Sequence, residues 1–195
     1  MRSVKILISA IIIICIAGTS TYAQEQDRVG IGFGYSSSGA LGIAGSKLNI
    51  DDIISPVSIY LPMTFGNFRL EPEIGYVRSS ASGDEQNITF STFQLGTGLF
   101  ALNRISDKTN FYYGGRLGFI RQSSEIALGE FDIDTESDSS TNFFLGPAMG
   151  AEHMLGDHFS VGGEAQLLYT SIDNEDEIDT SLIQTRATLF LRIHF

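Results

Sequence analysis

Residues 182–195 alternate between apolar and polar side chains and stop on an aromatic. Ile183, Thr185, Ala187, Leu189, Leu191, Ile193 and Phe195 share one parity; Gln184, Arg186, Thr188, Arg192 and His194 share the other, with Leu182 and Phe190 as exceptions. Successive side chains of a strand point to opposite faces, so this stretch predicts one strand with an oily face and a charged face. A soluble sandwich could hold such a strand, but its length and terminal aromatic point to a wall between lipid and a polar lumen.

The same period recurs at 29–37, 53–65, 68–79, 89–101, 111–122, 142–154 and 159–171, giving eight strands in all. Connections at 66–67, 104–108 and 156–158 are short and carry turn residues, whereas those at 39–52, 80–87, 123–140 and 172–180 are longer. Alternating short turns and long loops, with an even strand count, predict an all-β, eight-stranded antiparallel up-and-down transmembrane β-barrel. A soluble eight-stranded barrel has the same alternation with inverted polarity. Three features favour the membrane: a charge- and glycine-rich face expected to point inward, an opposite face lacking Lys and Glu through the strand middles, and the final aromatic.

Arg2 and Lys5 precede an apolar run at 6–17, and Thr21-Tyr22-Ala23 supplies small residues for cleavage, so 1–23 reads as a signal peptide and 24–195 as the barrel domain. Cys15 lies inside the apolar run without the small residues a lipidation site would place before it. Removing Arg2 and Lys5 from the 12 basic residues leaves 10 against 23 acidic ones, a formal charge of −13. Nucleic acid is excluded as a partner by that charge. No second apolar run could form a spanning helix, so a membrane form of this chain must be a closed barrel.

The signal, the glycine-rich first strand, the segment Leu70-Glu71-Pro72-Glu73-Ile74-Gly75-Tyr76 and the ending Leu189-Phe190-Leu191-Arg192-Ile193-His194-Phe195 together resemble the small outer-membrane β-barrels of Gram-negative bacteria, of the OmpA-barrel and OmpX type. That resemblance covers the mature chain and implies the outer membrane as location. It also implies outer-membrane lipid, lipopolysaccharide and the barrel-assembly machinery as partners, with Leu191, Ile193 and Phe195 forming the assembly signal. Phe190 stands where that signal often carries glycine. A monomer with no cofactor and no metal is expected. Tryptophan is absent, so an aromatic girdle must be built from Phe and Tyr.

Three constellations could carry function. Arg69, Arg116, Arg186 and Arg192 share the inward parity with Glu71, Glu73, Glu152 and Glu164, four against four. Eight strands enclose a space that side chains fill, so these charges must pair and close the lumen, or else exchange partners as a gated pore. Glu130, Asp132, Asp134, Glu136 and Asp138 alternate with neutral residues and could gather around a divalent cation, although the glycine and glutamate spacing of a calcium loop is missing. Asp173, Glu175, Asp176, Glu177 and Asp179 crowd the last loop. His158-Phe159-Ser160 resembles the His-x-Ser spacing of barrel-embedded lipid A deacylases, but it begins a strand at the short-turn end, far from an outer-leaflet substrate. The expectation is a non-enzymatic barrel with a structural role or an extracellular ligand on its acidic loops. A narrow solute channel is the alternative, and a lipid A-modifying enzyme comes after it.

Overall fold

The computed structural model describes residues 27–42, 57–82, 86–128, 136–172 and 180–195. The expected signal peptide with Cys15, the carboxylates of Asp132 and Asp134, and the acidic segment 173–179 lie outside the described residues. Glu136 and Asp138 are described in their backbone alone.

Nine strand segments follow one another: β1 (Arg28–Gly42), β2 (Val57–Tyr60), β3 (Met63–Phe65), β4 (Phe68–Ser82), β5 (Gln86–Ser106), β6 (Thr109–Leu128), β7 (Glu136–Met154), β8 (Phe159–Ile172) and β9 (Thr180–His194). All pairings are antiparallel, from β4 onward each segment pairs with the next, and β9 pairs with β1 to close the sheet. β2 and β3 form a single stave. Val57 faces Tyr76 and Met63 faces Leu70, so the register on β4 runs unbroken across Leu61-Pro62. Pro62 has no N–H to give the ladder, which divides the stave without shifting it. The barrel therefore has the eight staves that the alternation predicts.

Register fixes the shape. From Arg28 the paired residues run through Thr64, Arg69, Phe100, Gly114, Ala148, Gln166 and Arg186, and return to β1 at Ser38, a stagger of ten residues. With standard strand spacings, that stagger over eight staves sets a tilt of about 41° and a backbone radius of about 8 Å. Each residue then climbs about 2.5 Å along the barrel axis.

The polarity is that of a membrane barrel. Leu189 is 72% exposed and Phe195 77%, while Arg116 and Arg192 are at 1% and 0%. A soluble barrel would have these values reversed. Exposed Tyr76, Phe93, Phe119, Phe143 and Tyr169 form a belt toward the loop end, and Phe65, Phe68, Phe159 and Phe195 form a second at the turn end. Phe159 and Tyr169 are ten residues apart on β8, or about 25 Å along the axis, the height of the apolar band in such barrels.

The strands depart from the expected boundaries at the loop end. β4 reaches Ser82, β5 starts at Gln86, β6 reaches Leu128 and β7 starts at Glu136, so much of the expected loops 80–87 and 123–140 is paired strand. Alternation vanishes there because water lies on both sides above the lipid, but the backbone ladder continues regardless of side-chain polarity. Gln122 keeps inward parity yet is exposed, since β6 has already risen clear of the lumen. Leu182 and Phe190 are no exceptions to the pattern: both point into the lumen and are buried. At the turn end the hairpins are tight, with Gly66 at φ 55° and its N–H donating to Asp27 Oδ1 at 3.2 Å. The left-handed conformation at this turn is one that glycine alone adopts freely.

Leu189 sits near mid-height of the apolar band, so Leu189→Arg is expected to cost about 2–4 kcal/mol of unfolding free energy in phospholipid vesicles. Denaturant titration of the vesicle-inserted protein measures it, and a neutral result would contradict the lipid-facing assignment of β9.

Candidate functional site in the lumen

Inward parity on β4, β6, β7, β8 and β9 brings all four glutamates and three of the four arginines into one network. Arg116 lies at its centre. Its Nη2 donates to Glu71 Oε1 at 2.5 Å and to Glu164 Oε2 at 2.9 Å, its Nη1 to Glu73 Oε2 at 2.9 Å, and its Nε to Glu164 Oε1 at 2.5 Å. Glu71 and Glu73 are on β4 and Glu164 is on β8, four staves apart, so one guanidinium ties opposite walls together.

A second layer lies nearer the turn end. Arg192 places Nη2 2.6 Å from Glu71 Oε2 and Nη1 3.2 Å from Glu152 Oε2, and Arg69 Nη2 is 2.7 Å from the same Glu152 oxygen. Glu71 thus joins the two layers through its two oxygens. Neutral donors fill remaining sites on the carboxylates: Gln94 Nε2 on Glu73 at 2.5 Å, Gln166 Nε2 on Glu164 at 2.7 Å and Tyr112 Oη on Glu164 at 3.0 Å. Buried ions of this kind are tolerated because each carboxylate meets guanidinium, and Glu73, Glu152 and Glu164 also accept from amide or hydroxyl donors.

Aromatic rings pack among the ions. The Phe100 and Tyr112 rings meet edge to face at 5.0 Å, the Arg116 guanidinium lies 5.1 Å from both the Tyr60 and Phe100 centroids, and that of Arg192 lies 3.7 Å over Phe190. Cation–π contacts in a dry site add to what the carboxylates supply. Glycines make room for this filling: a Cβ on Gly34 would stand 2.5 Å from the Tyr60 ring, and one on Gly32 2.8 Å from Arg192 Cγ.

The expected four-against-four balance is corrected at Arg186. Among the described residues it makes no ion pair; its guanidinium lies 5.5 Å from the Phe144 ring and its Nε has no hydrogen-bond partner. Its level on β9 is above the glutamates, which parity alone does not reveal. Sequence reasoning also left out Tyr112, Gln94 and Gln166 as network members, together with the lumen-filling Phe100, Phe144 and Leu168. Tyr112 shares the parity of Arg116, Gln166 and Leu168 that of Glu164, and Phe144 that of Glu152, which was the available signal; β5, with Gln94 and Phe100, carries no lumen charge.

His158 and Ser160 are not brought together. His158 is exposed, with Nδ1 3.1 Å from the His194 carbonyl. Ser160 is buried; its hydroxyl donates to Glu152 and lies 2.9 Å from His194 Nε2. Glu152 Oε1 approaches that same Nε2 at 3.0 Å. Serine and carboxylate therefore compete for one ring nitrogen, unlike a relay in which the acid holds the far nitrogen of the base. Among the described residues, no group of three or more His, Cys, Asp or Glu side chains could hold a metal ion.

A closed antiparallel barrel with an oily exterior and a polar interior is what outer-membrane barrels share. Residues 8–189 match the family described as outer membrane protein beta-barrel domain. The chain belongs to that family, and it resides in the outer membrane. No curated protein matches the sequence. Solved structures with this family's architecture superpose over nearly the whole chain. Ail, the attachment invasion locus protein of Yersinia pestis, is 17% identical with a TM-score of 0.59, covering 88% of this chain and 100% of its own. Neisserial surface protein A is 13% identical with a TM-score of 0.54, covering 89% and 100%. Outer membrane protein H of Pseudomonas aeruginosa is 18% identical with a TM-score of 0.51, covering 88% and 100%. At these identities the likeness is one of fold.

Arg116→Met leaves three buried carboxylates short of a cation and is expected to lower unfolding free energy by about 3–5 kcal/mol. His158→Ala, at an exposed turn, should change it by less than about 0.5 kcal/mol. Urea titration of both variants in detergent micelles tests the contrast.

Proposed function

We propose that this outer-membrane barrel is non-catalytic and non-conducting, and that its work is structural or adhesive, done by the parts that stand above the membrane. The observation that supports this most is Arg116 spanning the lumen from Glu71 and Glu73 to Glu164, in the path a solute would have to take. With a backbone radius of about 8 Å, a filled layer of guanidinium, carboxylates and rings leaves little room for a hydrated ion. Opening such a path would separate buried ion pairs, which costs several kcal/mol.

Binding then belongs to the loop end. The β5, β6 and β7 strands carry paired backbone well beyond the upper aromatic belt, giving a rigid support for the sequences between them. The loop-end sequences are strongly acidic: Glu130, Asp132 and Asp134 follow β6, Glu136 and Asp138 open β7, and five carboxylates lie within 173–179, between β8 and β9. A cationic or hydrogen-bonding extracellular ligand fits that charge. Ail is solved in complex with the heparin analogue sucrose octasulfate, and the charge here favours a ligand of the opposite kind. Assembly by the outer-membrane machinery through Leu191, Ile193 and Phe195 belongs to the same proposal.

Planar-bilayer conductance of the refolded mature chain should be silent at every salt concentration. Glu71→Gln with Glu73→Gln removes two of the carboxylates facing Arg116, and is expected to lower the melting temperature and to produce openings. Steady current through the unaltered protein would move solute transport ahead of surface binding.

A further inference from the structure

Cations are rare on the outside of this barrel. Of the ten Lys and Arg residues beyond position 23, four line the lumen, Arg28, Arg104 and Lys108 are at the turn end, and Lys47 lies outside the described residues. Arg78 on β4 and Arg121 on β6 remain, both exposed and both on outward-facing parity. Neither makes a hydrogen bond or ion pair among the described residues.

Their heights coincide. Arg78 pairs in register with Ser91, Ser91 with Ser123, and Arg121 lies two residues below Ser123 on β6. Crossing two staves at the barrel's tilt gains about 6 Å, and stepping back two residues loses about 5 Å. The two arginines thus stand within about 2 Å of one height, with Cα atoms about 12 Å apart. Tyr76 and Phe119, two residues below them on the same strands, belong to the aromatic belt that marks the membrane interface. Outward neighbours Ser80, Ser91, Ser123 and Thr141 supply hydroxyls and no carboxylate, and Ser91 and Ser123 share a hydrogen bond of 2.7 Å. Outward-facing Glu125 is four residues farther up β6, about 10 Å higher.

We infer that Arg78 and Arg121 form a binding shelf for the phosphate groups of the outer-leaflet glycolipid. Guanidinium is the side chain best matched to phosphate, which it meets with two parallel N–H donors. A headgroup is delivered to this height by its own acyl chains packing against Tyr76, Phe93 and Phe119. The acidic sequences of the chain would repel the same lipid, so two arginines at the interface offset that repulsion where the phosphates lie. This inference rests on the reading of the chain as a closed surface barrel and names one lipid partner for it.

The test uses the refolded mature chain in phosphatidylcholine nanodiscs doped with lipid A carrying both phosphates, or with the same lipid A stripped of both. Native mass spectrometry reads how much lipid A each barrel retains. The unaltered protein should prefer the phosphorylated form, and each of Arg78→Gln and Arg121→Gln should reduce that preference about fivefold. The double variant should retain both forms equally, whereas Arg104→Gln with Lys108→Gln, at the other end, should behave as unaltered protein. Equal retention of the two lipids by the unaltered protein overturns the inference, and so does an equal loss in the turn-end variant. Displacement of the lipid by millimolar inorganic phosphate would assign the shelf to free phosphate and overturn the lipid assignment. Bilayer conductance of the double variant, run alongside, reports separately on the closed lumen.

Discussion

The crossing of the lumen by Arg116 is the interaction on which the rest of the structure depends. Eight staves with a ten-residue stagger leave an interior too narrow for a water column beside long side chains. The glutamates placed there find their cations within the same filled space. Arg116 meets three of them, and Glu71 passes the connection on to Arg192 and through it to Glu152 and Arg69. Five strands from all around the barrel are tied by one continuous network. Removing one partner would leave its counter-ion buried and uncompensated, so the network holds these strands together as a unit.

The same narrowness explains the composition of the inward face. Space taken by guanidinium and aromatic rings must be released elsewhere, and Gly32 and Gly34 release it beside Arg192 and Tyr60. Outside, where lipid fills any shape, no such compensation is needed, and large Leu, Ile, Phe and Tyr residues stand exposed along every stave. The two faces obey different rules because one is packed by protein and the other by a fluid.

Above the upper belt both constraints lapse. With water on both faces of β5, β6 and β7, neither oily nor ion-paired residues are required, and Ser, Thr and Gln take over at 91–92, 122–124 and 139–141. Backbone pairing persists without the alternation that announces a strand. The expected long loops at 80–87 and 123–140 were misplaced for this reason. The surface nonetheless keeps sharply placed charge, since Arg78 and Arg121 meet the interface at one height through register rather than through nearness in sequence.

Period-two alternation alone determined the strand count, the short turns and the parity of every lumen charge, because the side-chain period of a strand is a local property. It also put the lipid-facing Phe and Tyr residues on one face, while their gathering into two belts depends on height. Tertiary structure decided which inward residues meet. Height in the barrel depends on the stagger between strands, and stagger is fixed by closure of β9 on β1, which no single strand encodes. Glu71, Glu73 and Glu164 therefore gather on Arg116, while Arg186, of the same parity, stands above them against Phe144. Leu182 and Phe190, irregular in the pattern, are ordinary in the fold: a lumen this narrow is filled by whatever volume fits, and rings between guanidinium groups fit it.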